Sequence, residues 1–396
     1  MPQAVTIRSL PRAFAMIKAM QDQGYEWGED YRQSGREALV EILEEQMDDA
    51  IDRQLAAAEV GGEADRRNGS YHRHLLTELG DIELSVPRTR RFSALVVVRA
   101  YARRAPHLDR MILSCFVFGL STRKVATALL PVLGRPVSPQ TVSRVARTLD
   151  AAVAAFHRRR LADRYRVLML DGVVLARKTG AGALKRPVLV ALGITLNGKK
   201  EIIDFTLAPA ESAAAWEAFL GDMIKRGLTG NGLEMICVDG GSGLLAALPT
   251  AFPGIPVQRC WAHKIRNVLN KVRQADHGSV KASLHAIMNA DTLAGAKSAA
   301  RTFADRWEQT YPQAVACLRN DLDDLLTCFR YKTLGERKAV RTTNAIERRF
   351  VEVRRRTRPM GVFSDRTSME RILFAVFIHE NYKQKVSTPF LLTQTF

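Results

Sequence analysis

Between Arg36 and Val60 an apolar residue returns every fourth position, at Leu39, Leu43, Met47, Ile51 and Leu55, with Glu41, Glu44, Glu45, Asp48 and Asp49 between them. That period predicts an amphipathic helix with one apolar stripe and an acidic face. A run this short does not establish a coiled coil, so the helix is read as packed on its own domain, with a dimerisation seam as the alternative. From Arg66 to Arg91 the pattern becomes strand-like, and Leu75 to Glu78 and Ile82 to Val86 flank Gly80-Asp81, a hairpin turn signal. Helical spacing returns between Ser121 and Phe156. Ser121 can cap a first helix through Leu130, with Gly134 near its end. Ser138 caps a second helix, Pro139 suits its first turn, and Val142, Val145, Leu149 and Val153 supply its buried stripe. The pair has the outline of a helix-turn-helix, an outline shared by any two short helices around a Gly/Pro turn. It leaves Gln140, Thr141, Arg144 and Arg147 facing outward.

After Leu161 the period changes to that of strands. Val167 to Ala176, Pro187 to Leu196 and Glu201 to Ala208 are β-rich, and the last two are joined by Asn197-Gly198, a strong hairpin signal. A helix follows from Ser212 to Arg226 with Trp216, Phe219, Leu220, Met223 and Ile224 on one face, then a strand from Leu233 to Val238 that ends at Asp239. A helix from Gly243 to Ala251 leads to a short fifth strand around Val257. The order βββαβαβ is that of the ribonuclease H fold, an α/β class with a mixed five-stranded sheet and helices on both faces.

Charge sharpens this picture. Lys plus Arg number 59 against 41 for Asp plus Glu, a net +18, and the pI is about 10. Such an excess favours a polyanion over a small neutral substrate, and nucleic acid is the first candidate. Arg66, Arg67, Arg73, Arg88, Arg90 and Arg91 crowd the hairpin, either as a solvated face or as phosphate contacts. The outward residues of the second helix, Gln140, Thr141, Arg144 and Arg147, are then candidates for DNA contact. The longest apolar run, Val188 to Leu196, is about half a spanning helix, so no membrane partner is expected. Arg8, Pro11 and Arg12 break up the first stretch, which does not read as a secretory signal, and a cytoplasmic location follows. Five scattered cysteines point to reduced thiols.

Asp171 lies behind Leu168-Met169-Leu170 and Asp239 behind Ile236-Cys237-Val238, each followed by glycine. In a ribonuclease-H order these two strands are neighbours, so the carboxylates would stand side by side; taken singly, each is equally a strand-ending Asp-Gly turn. Glu347 opens a helix in Arg341-Thr-Thr-Asn-Ala-Ile-Glu347-Arg-Arg. It is a third candidate ligand, with a capping box on Thr343 or Asn344, or pairing with Arg348 and Arg349, as rival readings and Glu352 as the local alternative. The same helix carries Arg354, Arg355, Arg356 and Arg358, groups suited to phosphate. Three carboxylates suit Mg²⁺, with Mn²⁺ as substitute. Two such ions about 4 Å apart can activate a water or a 3′-hydroxyl and stabilise the departing oxygen. Gln258-Arg-Cys260-Trp-Ala-His263 follows the fifth strand; Cys-x2-His hints at zinc, yet Cys115, Cys317 and Cys328 offer no matching pair, and packing or DNA positioning is the other reading.

These residues resemble the signature of Mutator-type transposases of bacterial insertion sequences. The matching runs are Asp239-x3-Gly243-Leu244, Ala251-Phe-Pro253, Gln258-x-Cys260-x2-His263, His263-Lys264 with Arg266-Asn-Val-Leu269, Ser121-Thr-Arg-Lys-Val125, and Arg341-Thr-Thr-Asn344 with Ile346-Glu347. Ile255, Val174 and Gly241-Ser242 depart from the usual pattern without removing a carboxylate. The resemblance implies a catalytic Asp171, Asp239, Glu347 triad, and a helical insertion between the fifth strand and the Glu347 helix; Val280 to Asn289 and Leu293 to Glu308 are helix-like within that interval. Lys264 and Arg348 are further candidates for DNA contact. The expected organisation is an N-terminal helical region (1–62), a β-hairpin plus helix-turn-helix DNA-binding region (63–160), a ribonuclease-H-like catalytic domain (161–261 and 343–380) and the insertion (262–342). The expected partners are inverted-repeat DNA at the element ends, target DNA and further copies of the chain. A nuclease or resolvase without strand transfer, and a transposase-derived DNA-binding regulator, are the alternative functions.

Overall fold

A helix with one apolar stripe gains stability by covering it, and in the computed structural model α1 (Glu29–Val60) covers its own on a hairpin of the same unit. The structure describes residues 29–98, 106–133, 136–179, 182–360 and 366–386, so the opening stretch with Arg8, Pro11 and Arg12 and the helix-ending role of Gly134 lie outside the described residues. Leu43, Met47 and Ile51 of α1 share a core with Leu75 of β1 (Arg67–Thr77) and with Ile82, Leu84 and Val86 of β2 (Gly80–Thr89). The acidic face of α1 is used internally: Glu44 accepts from the Ser85 N–H at 2.7 Å, and Arg67 bridges Asp48 at 2.8 Å and Asp52 at 2.6 Å. The packed-helix reading therefore stands. The hairpin turn lies two residues earlier than expected: Thr77 pairs with Gly80, leaving Glu78-Leu79 as the turn and Gly80, at φ 123°, opening β2.

This first unit, which ends at Thr148, continues through α2 (Leu95–Val98), α3 (Pro106–Val117), α4 (Thr122–Leu133) and α5 (Pro139–Arg147). Ser138 caps α5 by accepting from the Thr141 N–H at 3.1 Å, and Val142 and Val145 are buried. The expected continuous stripe through Leu149 and Val153 is buried, but on two helices. Thr148 donates its hydroxyl to the Val145 carbonyl at 2.7 Å, a local bond that competes with helix propagation. The second unit begins there, with α6 (Leu149–Arg158).

Its centre is a sheet of β3 (Tyr165–Thr179), β4 (Gly182–Thr195), β5 (Lys200–Leu207) and, with α7 (Ala213–Lys225) between, β6 (Met235–Val238); α8 (Ser242–Ala251) then leads to β7 (Val257–Arg259). The spatial order is β5-β4-β3-β6-β7. The first three strands are antiparallel, as the Asn197-Gly198 turn and its Gly198 φ of 73° require, while β6 and β7 run parallel to β3. On one side Trp216, Phe219, Leu220 and Met223 of α7 meet Leu168, Leu170, Leu189 and Ile203. Burial on both faces explains the unbroken apolar runs of β3, β4 and β6.

The chain then folds as an α-helical block: α9 (Trp261–Leu269), α10 (His277–Met288), α11 (Leu293–Trp307), α12 (Pro312–Arg319), α13 (Leu322–Leu325) and α14 (Leu334–Val340). These helices have a core of their own in which Trp261, Val268, Leu284, Phe303, Trp307 and Leu318 meet. α15 (Asn344–Met360) and α16 (Arg366–Lys383) return to the sheet, where the Asn381 side chain accepts from the Ile202 N–H and donates to the Ile202 carbonyl, and Phe377 packs edge-on against Phe205 at 5.2 Å. One sheet carboxylate is structural: Asp204 of β5 is 2% exposed and is held by His157 at 2.7 Å and by Arg226. No helix of the described residues is long and apolar enough to cross a membrane.

Candidate active site

The parallel ladder between β3 and β6 pairs Leu168 with Ile236, Met169 with Cys237 and Leu170 with Val238. The next residue on each strand is an aspartate, so strand register alone sets Asp171 beside Asp239. Asp171 is 3% exposed and its Oδ2 has no hydrogen-bond partner among the described residues. Burial first, and then the Asp239 charge, push its carboxyl up to about 7; Thr343 and His263 oppose this, and Glu347 adds to it. Asp239 is half-buried and accepts at Oδ1 from the Gly241 N–H at 3.0 Å. The Asp-Gly turn is real as well: Gly240 has φ 96°, and the Arg259 guanidinium fills the place where a Cβ would stand. Turn and paired carboxylate are thus one feature.

A further carboxylate joins them that the sequence reading missed. Glu211 precedes Ser212, the residue that caps α7, and its carboxylate lies over Gly172, where an added Cβ would be 2.4 Å from Glu211 Cδ. Its Oε1 is buried without a partner, and burial followed by the Asp239 charge raises its pKa. Gly243 explains the approach: a Cβ there would lie 2.8 Å from the backbone of Ser212 and Ala213, so the first turn of α8 rests directly on the chain entering α7. In sequence Glu211 reads only as a residue before a helix cap. The glycines at 172 and 243 were the available signal.

Glu347 reaches the site from α15. Thr343, just before this helix, is buried, and its N–H and hydroxyl point at the Cys260 sulfur at 3.3 and 3.5 Å. The Glu347 carboxylate lies 3.7 Å from His263 Nε2 and 4.0 Å from an Arg266 nitrogen. Glu352, the local alternative, is bound by Arg355 at 2.8 Å and Arg356 at 2.6 Å. The His263 imidazole is pushed up to about 9, chiefly by its interaction with the Cys260 sulfur and then by the charges of Asp171 and Asp239, against the opposing effect of burial. Gln258, fully buried, donates to the Arg259 and Leu325 carbonyls and accepts from the Cys328 N–H at 2.6 Å. The Gln258, Cys260, His263 motif therefore stitches the helical block to the sheet and lines the site, with the Cys260 sulfur accepting from Thr343.

Among the described residues no three His, Cys, Asp or Glu side chains stand close enough to grip an ion as placed, as the mutual repulsion of like charges would have it. The donor set nevertheless fits a hard divalent cation: carboxylate oxygens only, with Asp171 Oδ2 and Glu211 Oε1 buried and unpartnered.

The residues expected on DNA divide. Gln140, Arg144 and Arg147 are exposed on α5, and Thr141 is half-buried with its hydroxyl on Ser138. Arg66, Arg88, Arg90 and Arg348 are exposed and Arg354 is half-buried. Arg67 and Arg91 are exposed but ion-paired, Arg91 with Glu63 at 2.5 Å. Arg355 is exposed on its Glu352 pair, whereas Arg356 is buried on the same carboxylate. Lys264 requires correction: it is 5% exposed, and its ammonium points inward to Asp321 and the Cys317 carbonyl.

Sequence comparison places the chain in a group of proteins. The chain matches the family described as Transposase, Mutator family, over residues 12–385. It is 32% identical over 352 residues to the transposase for insertion sequence element IS905 of Lactococcus lactis subsp. lactis (strain IL1403), covering 86% of this chain and 88% of the relative. It is 31% identical to the transposase for insertion sequence element ISRM5 of Rhizobium meliloti (strain 1021), over 88% of this chain and 87% of the relative. It is also 32% identical to the transposase for insertion sequence element IS256 in transposon Tn4001 of Staphylococcus aureus, over 79% of this chain and 80% of the relative. With a family match along almost its entire length and relatives above 30% identity, the chain belongs to the Mutator family of insertion-sequence transposases.

Proposed function

We propose that the protein cuts and rejoins DNA at the ends of its element through a triad of Asp171, Asp239 and Glu347 on a ribonuclease-H-like sheet. The observation that carries this is the β3–β6 register, which sets two aspartates side by side, one of them with a buried, unpartnered Oδ2. The order β5-β4-β3-β6-β7, with three antiparallel strands followed by two parallel ones, supports the ribonuclease-H-like reading.

Asp171, Asp239, Glu347 and the adjoining Glu211 are the groups that would hold Mg²⁺, or Mn²⁺ in its place. Bound there, two such ions supply the positive charge that activates an attacking oxygen and stabilises the departing one at a phosphodiester. The chain's own residues do the positioning. Burial holds the Asp171 side chain in a single place, and Gly241 N–H fixes Asp239. His263, positively charged beside Glu347, orients that carboxylate and offsets negative charge where a scissile phosphate would lie. Recognition of inverted-repeat ends falls to the first unit, where α4 and α5 form a helix-turn-helix with Gln140, Arg144 and Arg147 on its open face.

The test is a joining assay with end-containing DNA and Mg²⁺. Asp171→Asn, Asp239→Asn and Glu347→Gln each abolish strand joining and leave end binding intact; full joining by any one removes that residue from the triad. Wild-type protein that yields hydrolysed ends and no joined product, even with a 3′-hydroxyl acceptor supplied, would refute strand transfer.

A further inference from the structure

The cations of α15 that face away from Glu347 line a separate cleft. Its volume is about 520 Å³, and its walls include Lys200 at the start of β5, Lys338 and Arg341, and Asn344, Arg348 and Arg349 of α15. Arg341 is satisfied, donating to the Met288 carbonyl at 2.6 Å and to Asn289 Oδ1 at 2.9 Å. Arg349 is not. It is 7% exposed, gives one N–H to the Ala345 carbonyl, and leaves Nε and Nη2 buried without a partner. Lys200, Arg348 and Arg349 form no ion pair among the described residues, and Glu380, the carboxylate whose charge reaches Arg349, is itself paired with Lys383 at 2.8 Å. Burial, then Arg349 and Arg348, lower the pKa of Lys200, as expected of cations pressed together without an anion.

Buried guanidinium hydrogens without acceptors are costly, and a cluster of like charges adds to that cost; both are relieved by one kind of ligand, a multivalent oxyanion. We propose that this cleft binds a backbone phosphate of a DNA strand, and that Lys200, Arg348 and Arg349 are its contacts. The α15 helix then separates two sites: Glu347 serves the carboxylate site on one side, and the residues that follow it seat a phosphate on the other. The inference rests on the DNA-acting reading above. Lys200 did not stand out in the sequence, and Arg349 was read there only as a rival partner of Glu347, because only the fold brings the start of β5 to the first turn of α15.

The experiment measures the affinity of the full-length protein for a short random-sequence duplex across a salt series in EDTA, where no cleavage complicates binding. Each phosphate neutralised contributes about 0.9 to the slope of log affinity against log salt. The Lys200→Gln/Arg348→Gln double variant, altered at two solvent-accessible positions, is expected to lower that slope by at least about 0.9. Lys297→Gln, at an exposed lysine outside the cleft, leaves the slope at its wild-type value. A double variant with the wild-type slope overturns the proposal. In a second arm, inorganic phosphate is titrated while thermal unfolding is followed; protection lost in the double variant, with an unchanged DNA slope, assigns the cleft to a free anion and likewise overturns it. Wild-type protein that binds no duplex at all refutes the DNA-acting reading itself, and the cleft proposal falls with it.

Discussion

Removing the charge of Asp171 should stabilise the metal-free protein, and by an amount that depends on pH in a defined way. The carboxyl titrates near 7 in the fold against the usual 3.8, because it is 3% exposed and faces Asp239. Below pH 3.8 it is protonated in both folded and unfolded chains and costs nothing. As pH rises towards 7 the unfolded chain ionises while the folded one resists, and stability falls by about 1.4 kcal/mol for each pH unit. Above 7 the penalty is complete, roughly 4 kcal/mol for a displacement from 3.8 to about 7. Asp171→Asn, nearly the same shape but neutral, abolishes that penalty. Urea unfolding in EDTA, read by the fluorescence of Trp216, Trp261 and Trp307, which all lie in the second unit, measures it. Any packing difference between Asn and Asp is common to all pH values, so the quantity of interest is the gain of the variant over wild type at pH 8 minus the gain at pH 5. It should be roughly 2–3 kcal/mol, the part of the penalty that develops above pH 5. An equal gain at the two pH values would refute the reasoning. Mg²⁺ should restore stability to the wild type at pH 8 by relieving the same repulsion, and do so less in the variant.

Three further outcomes follow from the geometry. Glu211→Gln should weaken Mn²⁺ binding, followed by the electron paramagnetic resonance of the free ion, while leaving duplex affinity in EDTA unchanged; an unaltered Mn²⁺ affinity would remove Glu211 from the site. Asp204→Ala leaves Arg226 buried without its main counter-charge and should cost about 3–5 kcal/mol in urea unfolding, and a loss under about 1 kcal/mol would contradict a buried structural ion pair. Gly243→Ala places a methyl 2.8 Å from the Ser212 and Ala213 backbone, so it should lower the melting temperature and also weaken Mn²⁺ binding by shifting Glu211; normal Mn²⁺ binding in a destabilised variant would separate the two effects.

Much of the sheet was legible because burial on both faces demands long apolar strands, and because Asn197-Gly198 encodes a turn that only a positive φ allows. Asp171 and Asp239 were visible for the same reason, as charges closing apolar runs. What escaped notice depended on approach through space. Glu211 acquires its neighbours only when Gly243 lets two helix starts meet, and Lys264, basic and next to a motif histidine, gave no sign that Asp321 would draw it inward. The break at Thr148 was hidden because the apolar stripe continues across it in perfect period; a hydroxyl bond, not the stripe, ends the helix. Glu352 and Arg356 differ from Glu347 in a related way: helical spacing pairs them with each other, whereas the neighbours of Glu347, His263 and Arg266, come from another helix.

The joint that closes the helical block has a consequence for how this protein can vary. Trp261 N–H donates to the Arg341 carbonyl at 3.0 Å, and two residues further on Thr343 meets the Cys260 sulfur. The chain thus leaves the sheet and returns to it at adjoining points, and the bonds of Gln258 to Leu325 and Cys328 and of Arg259 to Asp321 fasten the middle of the excursion to the same strand end. Glu347 is positioned by this joint. Change between residues 262 and 340 is therefore bounded at two places, by His263 and Arg266 beside Glu347 and by Asp321, Leu325 and Cys328 on the fifth strand, and the parts of the block that touch neither carry no such constraint.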